Sequence, residues 1–234
     1  MAGKLSILIQ PFTQRLRRRR FHFFLTLIKD LPRPLTILDI GGTEAYWEQV
    51  GLNEEGLRII LLNLEETKVN DPKIFSSIAG NATDLSAWPD QSIDLVFSNS
   101  VIEHLFTKEN QCQMALEVRR VGRSYFIQTP NYYFPIEPHW LFPFFQFLPR
   151  SWRIALTRWG AWGHMPKLPD PKEAATLVDE VKMLRPSEMK ALFPSASLYY
   201  EKWLGMTKSV SSYYISTNNE SIIPRIKFLL VNKL

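Results

Sequence analysis

Two short stretches of this chain pair a carboxylate with an imidazole: Glu103-His104, and Glu137-Pro138-His139 set among further prolines. These side chains can take and return a proton near neutral pH, which is what general acid–base catalysis requires. A second group of residues suits binding. Asp39-Ile40-Gly41-Gly42-Thr43 places an acid and two glycines at the end of an apolar run, where a missing Cβ lets backbone approach a ligand. Asn63 and Glu65 end the next apolar run, two residues apart and so on one side of a strand, and either can hold a ribose hydroxyl. Gly80-Asn81-Ala82 and Ser98-Asn99-Ser100 follow further along. Four such segments in this order describe a nucleotide-type cofactor site at the carboxyl ends of parallel strands.

The elements that must position them can be read from periodicity. Residues 35–40, 57–64, 74–78, 93–98 and 124–128 are apolar runs of strand length, and most lack alternation, as in a sheet buried on both faces. Helical stretches at 45–50, closed by Gly51, and at 108–118 alternate with them, which predicts a parallel sheet with right-handed crossovers. Residues 14–30 read as an amphipathic helix with Phe21, Phe24, Leu25 and Ile28 at helical spacing, ended by Pro32 and Pro34. Near the far end, Ser187 is expected to cap a helix that Pro194 stops. Residues 197–203 and 208–215 can then pair as a hairpin around Gly205. Between lies a segment at about 130–184, dense in proline and aromatics, with one helix expected over 151–160. It is too long for a plain connection. It reads as an insertion covering the substrate, or alternatively as an auxiliary hydrophobic subcore.

Taken in order, and with residues 93–105 especially close in usage, these motifs resemble class I S-adenosylmethionine-dependent methyltransferases. The resemblance implies an α/β fold: a Rossmann-like, doubly wound, mainly parallel sheet with a C-terminal antiparallel hairpin. Residues 1–34 then form a basic N-terminal helix and 35–234 a single domain carrying the insertion. It implies S-adenosyl-L-methionine as cofactor, with Asp39, Gly41 and Gly42 under its amino-acid end and Asn63 or Glu65 at the ribose. Asn81 and Ala82 would lie at the adenine, and Asn99 beside the sulfonium. Thr43 and Ala45 stand where the family commonly has glycine. Methyl transfer is a direct displacement in which alignment can supply about 7–11 kcal/mol. A hydroxyl acceptor also needs a base, and the candidates are Glu103, His104, Glu137 and His139.

Composition narrows the class. With 45% hydrophobic and 22% charged residues the chain is globular rather than disordered. Its single cysteine excludes a disulfide framework and favours a reducing, cytoplasmic setting. Histidines 22, 104, 139 and 164 show no metal-ligand spacing, so no metal is expected. Residues 1–40 hold eight basic side chains against Asp30 and Asp39, while the rest is near neutral. The Arg15–Arg20 run suits an anionic membrane surface, a solvated helix face or, less well, an organellar address. Three functions compete: methyl transfer, with oxygen the expected atom, to a small-molecule, lipid or saccharide acceptor; a non-catalytic or membrane-associated binding protein; and an RNA methyltransferase. Nucleic acid is disfavoured, because base-directed chemistry wants a Pro-Pro-aromatic motif or a cysteine nucleophile where this chain has Ser98-Asn99-Ser100.

Overall fold

Leu35–Ile40 (β1) is buried at every position, as a central strand covered on both faces must be. The computed structural model of this chain describes residues 2–216, with side chains from Thr13 onward. On one side β1 pairs in parallel with Leu57–Asn63 (β2), which carries Phe75–Ala79 (β3) at its outer edge. On the other side β1 pairs in parallel with Ile93–Asn99 (β4), and β4 with Gly122–Pro130 (β5). Met206–Tyr214 (β9) runs antiparallel to β5, and Ser197–Trp203 (β8) closes the far edge. The order β3-β2-β1-β4-β5-β9-β8 reverses between β1 and β4, the crevice where doubly wound sheets take ligands. The β8–β9 hairpin turns through Leu204 and Gly205, both with left-handed φ (47° and 80°), as the tight hairpin turn requires.

The first helix, Ala2–Ile28 (α1), begins well before the expected position 14. Its Phe21, Phe24 and Ile28 lie on one sheet face with Ile37, Leu95, Phe97 and Phe126, joined by Trp47 of Glu44–Val50 (α2). On the opposite face Lys108–Val121 (α3) and Pro186–Leu192 (α6) bury Met114, Val118 and Met189 against Leu38, Val96, Tyr125 and Ile127. α6 does not start at Ser187. Pro186 occupies its first turn and the Glu188 carboxylate accepts the Arg185 N–H (2.8 Å).

The strand–helix alternation is only partly realised. Residues 64–74 and 80–92 connect their strands without a helix, because side chains hold those loops instead. The Glu44 carboxylate accepts the N–H groups of Asn70 and Asp71, and Arg120 donates to the carbonyls of Leu85 and Trp88. The insertion contains a two-stranded piece, Ile136–Glu137 (β6) with Phe142–Pro143 (β7), then Arg150–Trp159 (α4) and Pro171–Glu180 (α5). α5 has no counterpart among the sequence expectations. Asp170 caps it by accepting the N–H groups of Lys172 and Glu173. The insertion has its own core around Trp140, Phe145, Val178 and Val181.

Candidate active site

The turn after β1 depends on its two glycines. Gly41 has φ 73°, and a Cβ there would stand 2.4 Å from Val101 Cγ2. A Cβ on Gly42 would stand 1.7 Å from Asp39 Oδ2. Asp39 is fully buried, accepts the Trp47 indole N–H (2.7 Å) and has no hydrogen-bond partner for its other oxygen. Burial pushes its carboxyl up to about 8, against the opposing pull of Trp47. Asp39, Gly41, Gly42, Tyr46, Asn99 and Arg17 line a cleft of about 250 Å³. The missing Cβ atoms leave room for Val101 and Asp39, and the cleft beside this turn, with an unpartnered Asp39 oxygen at its wall, fits the amino-acid end of S-adenosyl-L-methionine.

The other expected cofactor residues are placed less uniformly. Asn63 donates one side-chain N–H to Gly42 O (2.9 Å), so it braces the glycine turn and keeps its amide oxygen and second N–H for a ligand. Glu65 is exposed and outside the cleft wall. The Asn81 amide oxygen, expected at the adenine amine, instead accepts both the N–H (3.0 Å) and the hydroxyl (2.9 Å) of Thr83. Such a local turn is what a short amide side chain forms when it can reach its own backbone. Ala82 packs into the core beside Leu85.

Asn99 brings in residues that the sequence reading missed. Its amide oxygen accepts the Arg20 guanidinium (2.7 Å), which also bonds Glu201 (2.8 Å) and the Ser209 hydroxyl (3.4 Å). Arg20 is therefore buried inside the site rather than part of a surface run. The signal was present: Leu16, Arg20, Phe24 and Ile28 recur every four residues, so one arginine of the run lies on the buried stripe. Arg17 and Arg20 also wall a second cavity of about 360 Å³, with Lys208, Phe134, Leu141 and Trp203. Ser100, held at φ 59°, lines it while donating to the Gln128 amide oxygen (2.9 Å). Lys208 faces Glu201 at 3.6 Å, and burial pulls its ammonium below the usual lysine range despite that carboxylate.

The carboxylate–imidazole residues come together, although 35 positions separate the histidines. Glu103 and His104 lie in a 3-10 turn, Ile102–His104, rather than at the start of α3. His104 Nε2 and His139 Nε2 are 3.0 Å apart. His139 Nδ1 meets Glu137 Oε1, and Glu137 Oε2 accepts the N–H groups of His139 and Trp140. His104 Nδ1 faces Glu180 Oε1 at 3.5 Å. Glu103 is fully buried and accepts the Thr129 hydroxyl (2.9 Å). Burial pushes the Glu103 carboxyl up to about 7 against the pull of His139, and burial with the His139 charge pushes His104 down to about 4. Burial opposes charge on His139, yet the Glu137 hydrogen bond and charge raise it above the usual histidine value. Neither histidine is in the walls of the two cavities, although Pro138, next to His139, lines the larger.

Residues 39–125 match the family described as methyltransferase domain. A 56-residue stretch is 38% identical to an uncharacterized protein of Mycobacterium tuberculosis strain H37Rv, covering 24% of this chain and 19% of that relative. The chain thus spans about a fifth of the length of the curated relatives it matches. Among solved structures, an S-adenosylmethionine-dependent methyltransferase from Archaeoglobus fulgidus is 12% identical with a TM-score of 0.50, covering 89% of this chain and 98% of that one. The complex between the Haloferax volcanii Trm112 methyltransferase activator and a proposed methyltransferase also gives 12% identity and a TM-score of 0.50, over 94% and 97%. These likenesses concern the fold. Family and fold together imply S-adenosyl-L-methionine as cofactor and support a methyltransferase enzyme. Residues 39–125 are thus similar to the methyltransferase domain family, and the sheet that holds them has the doubly wound order of the solved S-adenosylmethionine-dependent methyltransferase fold.

Proposed function

We propose that this protein transfers a methyl group from S-adenosyl-L-methionine to an oxygen of a small, anionic, amphipathic acceptor, lipid-like in character. The observation that carries this reading is the shared wall of the two cavities. Arg17 lines both, and Arg20, in the wall of the larger, donates to Asn99, which lines the cofactor cleft. Three cationic side chains, Arg17, Arg20 and Lys208, line the larger cavity, and Glu201 pairs with two of them, Arg20 and Lys208. An anionic group on the acceptor complements that excess, and Phe134, Leu141 and Trp203 suit an apolar body.

When bound, the cofactor supplies an electrophilic methyl carbon held by a sulfonium. This chain's residues hold and align. Gly41 and Gly42 would admit the cofactor's amino-acid end and Asn63 or Glu65 would take a ribose hydroxyl, while Arg20 holds the angle of Asn99. A hydroxyl acceptor must lose a proton, and the Glu103–His104–Glu137–His139 group adjoins the cavity through Pro138. Both rings, however, direct their nitrogens at each other and at carboxylates. Titration calorimetry with S-adenosyl-L-methionine and its demethylated product tests the reading. We expect binding with Arg20→Ala impairing turnover of an amphipathic carboxylate or phosphate ester more than cofactor affinity. No binding at millimolar cofactor would overturn it.

A peripheral membrane association is a second reading, favoured by Phe144, Phe147, Trp152 and Trp159, all exposed on the insertion. It is compatible with the first, since a lipid-like acceptor would be met at a surface. No described helix is long and apolar enough to cross a membrane.

A further inference from the structure

We infer that Glu103, His104 and His139 form a binding site for one divalent first-row transition cation, with Glu137 and Glu180 as its outer carboxylates. The donor atoms of these three residues all lie within 4.8 Å of one another, and a cation would draw Glu103 in to about 3 Å from the two nitrogens. The two Nε2 atoms converge at 3.0 Å. Metal–nitrogen bonds of about 2.0–2.1 Å would then meet at roughly 90–95°, the angle between adjacent ligands of a five- or six-coordinate ion. Glu103 Oε1 is buried and has no hydrogen-bond partner, the condition of a ligand atom lacking its ion.

The far side of each ring gives independent support. His139 Nδ1 is backed by Glu137 and His104 Nδ1 by Glu180. Ligating histidines characteristically donate their second N–H to such a carboxylate, which sets the tautomer and the ring angle. A simple hydrogen bond between two neutral rings does not serve both ends. If His139 keeps its Nδ1 proton toward Glu137, then His104 must carry its proton on Nε2, and its bare Nδ1 faces a carboxylate oxygen. A second proton on the ring pair would also remove that conflict, but only a cation between the two Nε2 atoms gives the unpartnered Glu103 Oε1 a partner as well, with each ring turning an N–H to its carboxylate and a lone pair to the metal. Two nitrogens and one carboxylate favour zinc, cobalt or iron over magnesium. Three protein donors leave coordination positions for oxygen, from water or from an acceptor hydroxyl. Sequence spacing hid the site, since its two histidines belong to segments that only the β4–β5 pairing brings together.

The test is metal binding, read without activity so that it is independent of the methyl-transfer reading. Tag-free protein is stripped of metal and titrated with Zn²⁺ in a calorimeter, and with Co²⁺ followed by its visible absorption. We expect one equivalent of Zn²⁺ bound at micromolar affinity or tighter, with Mg²⁺ at least a hundredfold weaker. His104→Ala and His139→Ala should each weaken Zn²⁺ by at least thirtyfold, and Glu137→Gln by about tenfold or more. Circular dichroism and cofactor binding confirm that each variant is folded; if His139→Ala does not fold, His104→Ala and Glu103→Gln decide the matter. Absence of Zn²⁺ binding, equal affinity in the folded variants, or Mg²⁺ bound as tightly as Zn²⁺ would each overturn the inference.

Discussion

A methyl group added at Gly42 has nowhere to go. Its carbon would overlap Asp39 Oδ2 at 1.7 Å, and that carboxyl is fixed by Trp47 in a closed interior. Gly42→Ala should therefore distort the turn, costing about 1–3 kcal/mol of stability and weakening cofactor binding at least tenfold by calorimetry. Unchanged affinity would show that the turn does not touch the cofactor. Asp39 itself should give the cofactor-free protein a pH signature. Its folded value of about 8 lies above the ordinary 3.8, so the folded state binds that proton more tightly than the unfolded chain. The resulting stabilisation is complete below the unfolded value and is lost as pH rises through about 8. Urea unfolding between pH 5 and 9 should show stability falling in the parent and a shallower fall in Asp39→Asn. Equal slopes would refute the assignment. Arg20→Ala leaves Glu201 buried beside Lys208 at 3.6 Å. Removing one member of a buried pair typically costs about 3–5 kcal/mol, and Arg20→Ala/Glu201→Ala should lose less than Arg20→Ala alone in denaturant titrations. Additive losses would mean the pair does not couple.

At the scale of elements, α1 does two jobs that its sequence presents as one basic run. Its inner stripe plugs the sheet and delivers Arg20 to the site, while Arg15, Arg17, Arg18 and Arg19 are exposed, Arg17 at the edge of both cavities. Only the exposed set is free to meet anionic lipid, at about 1 kcal/mol for each residue near the surface. Of the insertion's phenylalanines, Phe145 is buried, whereas Phe144 and Phe147 are exposed. Co-sedimentation should show weak binding to anionic vesicles, lost at high salt and reduced by Arg15→Gln/Arg18→Gln/Arg19→Gln. Equal partitioning to neutral vesicles would assign attachment to the aromatics alone, and none to either would remove the membrane reading. The insertion holds the anticipated subcore, anchored by Trp140 and Phe145, while its Phe134 and Leu141 wall the larger cavity.

For the molecule as a whole, a cofactor that binds only the folded state must raise stability by mass action. At about one hundred times Kd the gain is about 2.7 kcal/mol, readable as a thermal shift with S-adenosyl-L-methionine; a flat melting temperature at that concentration would contradict the cleft assignment. The sequence by itself determined the sheet. Residues 35–40 form β1 as expected, because an unbroken apolar run can only be buried on both faces. It also determined the glycine turn and the edge hairpin, since φ above zero is a local demand that few residues meet. Asn81 shows how one residue type serves two local demands: the amide that suits an adenine amine also closes its own turn with Thr83. Only the tertiary structure decided the rest. Arg20 reaches Glu201 across 181 positions, and His104 reaches His139 across 35. Such contacts leave no periodic trace, because parallel pairing sets strand ends side by side whatever the length of chain between them. What the sequence spelled out is therefore the frame and the glycine turn, and what folding added is the company each charged side chain keeps.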